Sequence, residues 1–167
     1  MGCGKSSVGR KLSQLLCCHF ADLDIVIEQQ AGKSIPEIFK SDGEVKFRQM
    51  ERLVLRDIID QQSNKSKESV ETILALGGGA VMQEECERMV HDETFCIYLR
   101  ASVGTLMEHL SGEASGRPLL NEASSLHSRI LELMSLRSST YERTAHLIID
   151  TDGKSIEDIA EEIISSI

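Results

Sequence analysis

The apolar positions of this 167-residue chain fall into two alternating patterns. Stretches where they recur every three or four residues predict helices, and short apolar runs between them have strand length. The first helix is predicted over 6–16, with Val8, Leu12, Leu15 and Leu16 on one face. A short strand follows over 18–23. Helical patterns then cover about 25–31, 35–40 and 43–61, and in the last Phe47, Met50, Val54 and Ile58 form an apolar stripe. Residues 62–69 are polar and rich in Ser and Lys, a loop composition. The runs 72–76 and 94–99 are apolar enough for a parallel sheet covered on both faces, with a helix over about 81–90 between them. A helix is predicted over 103–110, a mobile surface segment over 111–125 and a longer helix over 126–144. The last strand is predicted over 147–150 and a closing helix over 156–167. Alternating helices and strands predict an α/β fold with a mostly parallel sheet, and the length predicts a single domain over 1–167.

Composition narrows the function classes. Lys and Arg number 18 against 27 Asp and Glu, a formal charge of −9. A general nucleic-acid binder carries a basic face instead. Aromatics are only 4% and Trp is absent, so base-stacking platforms are not expected. No apolar run approaches the roughly 20 residues of a membrane helix, and the glycine-rich start has no signal-peptide pattern. The 41% hydrophobic content is enough for a real core. Five cysteines (Cys3, Cys17, Cys18, Cys86, Cys96), an odd number with no CxxC pair, fit a reducing compartment.

Four groups of residues carry chemistry. Gly2-Cys3-Gly4-Lys5-Ser6-Ser7 stands directly before the first helix and matches the second half of G-x-x-x-x-G-K-[ST]. Glycines let backbone N–H groups turn toward phosphate oxygens, and the helix N-terminus adds its dipole. Lys5 would reach the β- and γ-phosphates and Ser6 would ligate Mg²⁺. The bland alternative is a glycine-rich start with a serine helix cap. Asp22 and Asp24 flank Leu23 at a strand end, where alternation puts both carboxylates on one side. One can hold a metal-bound water and the other can orient or deprotonate a hydroxyl. The alternative is that Asp24 caps the helix starting at Ile25.

Gly77-Gly78-Gly79 follows an apolar strand and lets backbone amides approach a small polar ligand. No acidic residue closes that strand, so metal-holding falls to Asp22. Arg48 lies at helical spacing from Glu44 and Glu51. It is either a solvated ion pair or a guanidinium fork for a substrate carboxylate, oriented by Glu51. Arg117 precedes Pro118 in the 111–125 segment, placed for a cation delivered by a lid. Arg137 lies near the end of the long helix, ahead of Tyr141.

In order, GCGKSSVGRKL, ADLDIVIE, GKSIPEIF, DGEVKFRQME, LALGGGAV, GRPLL and LRSSTYERTA resemble the shikimate kinase family, from Gly2 to Ala145. The resemblance implies a three-layer P-loop kinase fold, with helices around a five-stranded parallel sheet of order 2-3-1-4-5. It implies transfer of the γ-phosphate of ATP to the 3-hydroxyl of shikimate with Mg²⁺, on the chorismate route to aromatic amino acids. It also implies a cytoplasmic monomer, a substrate-binding helical segment over about 32–61 and a lid over about 111–125. Carried over residue by residue, Gly2, Cys3, Gly4, Lys5, Ser6, Ser7 and Arg117 bind ATP. Ser6 ligates Mg²⁺, Asp22 does so through water, and Lys5 is the phosphate lysine. Asp24 resembles the residue that binds substrate hydroxyls and acts as base. Arg48 and Arg137 resemble the pair that grips the shikimate carboxylate, and Gly77, Gly78 and Gly79 line the same substrate. Arg117 resembles the lid arginine that meets the transferring phosphate.

Two departures go with the resemblance. The chain begins inside the phosphate loop, so the first strand and the leading glycine are expected to be missing and the chain as written to be poorly folded or inactive. The runs at 72–76 and 94–99 would then leave unpaired edges facing each other. Where the family usually has an adenine-stacking arginine, this chain reads Glu108-His109-Leu110-Ser111. The competing readings are a gluconate-type kinase of another carboxylated polyol and a non-catalytic shikimate-kinase-like protein.

Overall fold

The computed structural model describes residues 2–63, 70–113 and 122–167, without the side chains of 63, 111–113 and 122–125. Chain order is α1 (Lys5–Leu15), β1 (His19–Asp22), α2 (Leu23–Ala31), α3 (Ile35–Ser63), β2 (Thr72–Ala75), a 3₁₀ turn (Ala80–Met82), α4 (Glu84–Glu93), β3 (Ile97–Arg100), α5 (Val103–Glu113), α6 (Glu122–Thr144), β4 (Leu147–Asp150) and α7 (Ile156–Ser166). Every strand is separated from the next by at least one helix, and both strand pairings are parallel.

The strands form two pairs. β1 runs beside β2 with Asp22 opposite Ala75, and β3 runs beside β4 with Arg100 opposite Asp150. The resemblance implies a five-stranded sheet whose first strand was expected to be missing here; among the described residues the four strands stay in two pairs, and β2 and β3 share no ladder. They do share a core. Val8 and Leu12 of α1 and Ile159, Ala160 and Ile163 of α7 pack over Ile73 of β2, Ile97 and Leu99 of β3, and Ile149 of β4. A second cluster joins α2, α3 and α4 through Leu23, Ile27, Phe47, Val54, Leu55 and Met89. Among the described residues, no helix is long and apolar enough to cross a membrane.

Local differences from the sequence pattern have physical causes. The predicted helices over 35–40 and 43–61 are the two arms of α3, which meet at a kink at Gly43, where φ is 80°. A Cβ there would meet no neighbour, but that left-handed angle strains any residue with a side chain, so the glycine supplies the bend. The helix expected over 81–90 divides into the 3₁₀ turn and α4. Leu15, expected on the buried face of α1, is 47% exposed, because the core side of that helix is set by Val8 and Leu12. Residues 111–113 continue α5 and 122–125 begin α6, leaving 114–121 of the predicted lid segment outside the described residues.

Candidate active site

The site is built where β1 and β2 end and α1 and α2 begin. Gly4 caps α1 with φ 76° and no side-chain hydrogen bond, so the serine cap considered above is not what starts the helix. A glycine tolerates that left-handed angle and leaves the first N–H groups of α1 facing outward. Lys5 is the first residue of the helix and Ser6 the second. The loop is held from the opposite side by α5. His109 Nδ1 lies 2.6 Å from the Gly2 carbonyl oxygen, which makes that ring nitrogen the donor. Cys3 packs with Leu106 and Leu110. His109 is exposed, and its bond to the phosphate-loop backbone was not legible in the sequence.

Asp22 ties two helix starts together. Its Oδ2 accepts a hydrogen bond from Ser6 Oγ at 2.7 Å, and its Oδ1 accepts one from the Asp24 N–H at 3.1 Å. Asp22 is therefore the cap of α2, and the suggestion that Asp24 caps a helix at Ile25 is corrected. Asp24, inside the first turn, is left free to face the glycines. Its carboxyl is pushed above its ordinary value, first by burial and next by the neighbouring Asp22 charge; Lys5 and Arg48 pull it back.

The glycine triplet is the hub. A Cβ on Gly77 would meet Asp24 Oδ1 at 2.6 Å, and a Cβ on Gly79 would meet Arg48 Nη1 at 2.6 Å. Side chains there would displace the two groups, so the positions need glycine for close approach rather than for φ. The Gly78 carbonyl oxygen accepts from Arg137 Nη1 at 3.1 Å and from the Tyr141 hydroxyl at 2.5 Å. Asp24, Arg48 and Arg137 thus meet a single tripeptide spanning about 7 Å of backbone. Gly77, Gly78 and Gly79 also turn the chain into the 3₁₀ segment, through Ala80 N–H to the Gly77 oxygen at 3.1 Å.

Arg48 is held by a buried carboxylate. Its Nη1 donates to Glu51 at 2.6 Å, and Glu51 is 1% exposed; Glu44, at 3.4 Å from Nη2, is exposed. The pair is therefore a fixed guanidinium rather than a solvated surface bridge. Burial pushes Glu51 upward, and the Arg48 hydrogen bond opposes it. Gln83, absent from the sequence reading, donates to the Arg48 carbonyl at 3.3 Å and to Glu51 at 3.4 Å. Glu51→Ala is expected to cost about 2–3 kcal/mol of stability, below the roughly 3–5 kcal/mol of a fully buried broken pair because Arg48 is partly wet. The measurement is the urea midpoint at constant slope; an unchanged midpoint would show that Glu51 does not anchor Arg48.

Seven of the expected site residues outside the phosphate loop are thus gathered here, namely Asp22, Asp24, Arg48, Gly77, Gly78, Gly79 and Arg137. Ser7 sits exposed on the first turn of α1. Arg117 lies outside the described residues. The pair of Ser6 hydroxyl and Asp22 carboxylate, hard oxygen donors 2.7 Å apart at a helix N-terminus, fits a small divalent cation with waters in its remaining positions. Chemically, the site offers amides and a cation for phosphates, one carboxylate for a hydroxyl, and two guanidiniums for an acid group.

A family model for shikimate kinase matches residues 1–167. A shikimate kinase of Thermus thermophilus is 36% identical over 167 residues, covering 100% of this chain and 85% of the relative. One from Zymomonas mobilis is 38% identical, covering 100% of this chain and 89% of the relative. Among solved structures, the shikimate kinase of Acinetobacter baumannii in complex with shikimate superposes with a TM-score of 0.83 at 31% identity, covering 99% of this chain and 87% of that one. The Aquifex aeolicus shikimate kinase gives 0.77 at 28%, covering 99% and 90%. The fold is therefore the α/β kinase fold of those structures, and by full-length match this chain belongs to the shikimate kinase family.

Proposed function

We propose that this protein is an ATP:shikimate 3-phosphotransferase of aromatic amino acid biosynthesis. The observation that carries the reading is the convergence of Asp24, Arg48 and Arg137 on one glycine triplet beside a lysine-bearing helix N-terminus. A carboxylated polyol needs cations for its acid group and acceptors for its hydroxyls, and these residues supply both. The relatives' shared name, and the shikimate bound in one of them, support the same substrate over a gluconate-type acid or a non-catalytic role.

In the reaction, Arg48 and Arg137 bind the carboxylate and the triplet amides line the ring. Asp24 accepts the proton of the 3-hydroxyl as its oxygen bonds to the γ-phosphorus and the bond to the ADP oxygen breaks. Gly2, Cys3, Gly4, Lys5, Ser6 and Ser7 bind the phosphates, with Lys5 balancing charge on the transferring group. Mg²⁺, held by Ser6 and through water by Asp22, would neutralise phosphate charge. Residues 32–61 form the substrate arm and 111–125 the lid, with Arg117 as its cation; the family resemblance is what supports this assignment. Cytoplasmic location and a monomeric state belong to the same reading.

The sheet arrangement is also part of it. In strand order 2-3-1-4-5, β1 and β2 take the first two places and β3 and β4 the last two. The shared core over β2, β3 and β4 supports that arrangement, whose central place the described strands do not fill.

The test is ADP release from ATP and Mg²⁺ with and without shikimate, on this chain and on a form extended upstream by about ten residues, one strand at most. Shikimate-dependent release in either form is expected. Its absence from both, with the extended form folded, overturns the assignment. In the active form, Arg137→Ala is expected to raise the shikimate KM about 10- to 100-fold, the worth of charge-assisted hydrogen bonds, and the ATP KM far less. Equal rises for both would place Arg137 elsewhere.

A further inference from the structure

We infer that Tyr141 is a positioning residue that keeps the Gly79 amide aimed at the substrate while Arg137 turns to the substrate carboxylate. The inference rests on the shikimate reading above. Arg137 and Tyr141 stand four residues apart on α6 and so share one face. Both donate to the same acceptor, the Gly78 oxygen, at 3.1 and 2.5 Å. The neighbouring carbonyls are already committed: Gly77 to Ala80 N–H and Gly79 to Met82 N–H, each at 3.1 Å.

The Gly78–Gly79 peptide is planar and trans, so its C=O and N–H point to opposite sides. Holding the oxygen toward α6 therefore directs the Gly79 N–H away from α6. Neither the Gly78 nor the Gly79 N–H donates to a group among the described residues. A glycine peptide has no side chain to fix its plane, and an unheld plane can rotate. Arg137 alone is a poor holder, because the same guanidinium is needed by the ligand. Once it turns, Tyr141 remains. Its hydroxyl stays a donor at neutral pH, since burial raises its titration further above an already basic value. Its ring is fixed against Tyr98, with centroids 5.3 Å apart.

The test is Tyr141→Phe, which keeps the ring and removes only the hydroxyl. Two readouts are needed in the form that turns over. The first is the ¹⁵N–¹H resonance of Gly79 without ligand, which should shift and broaden in the variant. The second is steady-state kinetics. The shikimate KM should rise about 5- to 10-fold, the scale of one neutral hydrogen bond, with a smaller change in kcat and in the ATP KM. An unmoved Gly79 resonance overturns the inference. So does a shikimate KM within about twofold of the parent, or an equal rise in both KM values, which would mark general loosening. The resonance is read without substrate, so a failure of the shikimate assignment, seen as no shikimate-dependent turnover in the parent, is distinguishable from a failure of Tyr141.

Discussion

Asp24→Asn is expected to lower shikimate-dependent turnover by about 10³-fold, within the range for removing a positioned general base. The fold should be undisturbed, because the structural work at this corner is done by Asp22. Asp22 caps α2 and accepts the Ser6 hydroxyl, while the Asp24 side chain faces Gly77. Asparagine has the same size, so the close approach to Gly77 is kept. What is lost is a proton acceptor and a negative charge opposite Arg48 and Lys5. A second signature distinguishes base loss from misplacement. Burial, followed by the Asp22 charge, raises the Asp24 carboxyl above its ordinary value of 3.8. A base works ionised, so activity falls as pH drops through that raised value. The parent should show an acid limb in kcat/KM shifted upward from that of an ordinary aspartate, and the variant's residual rate should lack it. Turnover within tenfold of the parent, with the limb intact, would remove Asp24 from the role.

The site was legible in the sequence to the extent that its residues sit in short contiguous motifs. Lys5 and Ser6 fall at the first turn of α1, as the phosphate-loop pattern required, and Asp22 closes β1. What the residues alone did not separate was which carboxylate caps the helix, because both sit one residue from Leu23. That is decided by the helix starting at Leu23 rather than Ile25. Glu51 was visible as a spacing partner of Arg48, but its burial was not, since an i,i+3 pair reads the same on a wet or a dry face. The contacts of Gln83, Tyr141 and His109 were missed because they join residues 32 to 107 positions apart. Only the i,i+4 spacing of Arg137 and Tyr141 offered a signal. Strand identity was the easiest part. The apolar run 147–150 matches β4 residue for residue, whereas the two strand pairs were expected only through the resemblance, because which edges meet is a property of no single segment.

Lys5→Ala is expected to abolish measurable turnover, a loss of about 10³-fold or more, as for cations that balance charge on a transferring phosphoryl group. Lys5 is well placed for a clean result. It opens α1, makes no salt bridge with a described residue, and alanine is the best helix former. The thermal midpoint should therefore hold. The variant also tests a coupling inside the site. Lys5 is the leading influence that lowers the Asp24 carboxyl against burial and the Asp22 charge. With the lysine gone, Asp24 should titrate higher still. Any residual activity should then show its acid limb moved to higher pH, and Asp24 should hold its proton at pH values where the parent's is ionised. Loss of turnover with the Asp24 titration unmoved, followed by carboxyl ¹³C resonance, would separate Lys5 from Asp24. It would then place the lysine on the nucleotide alone, with the acceptor carboxylate tuned by Arg48.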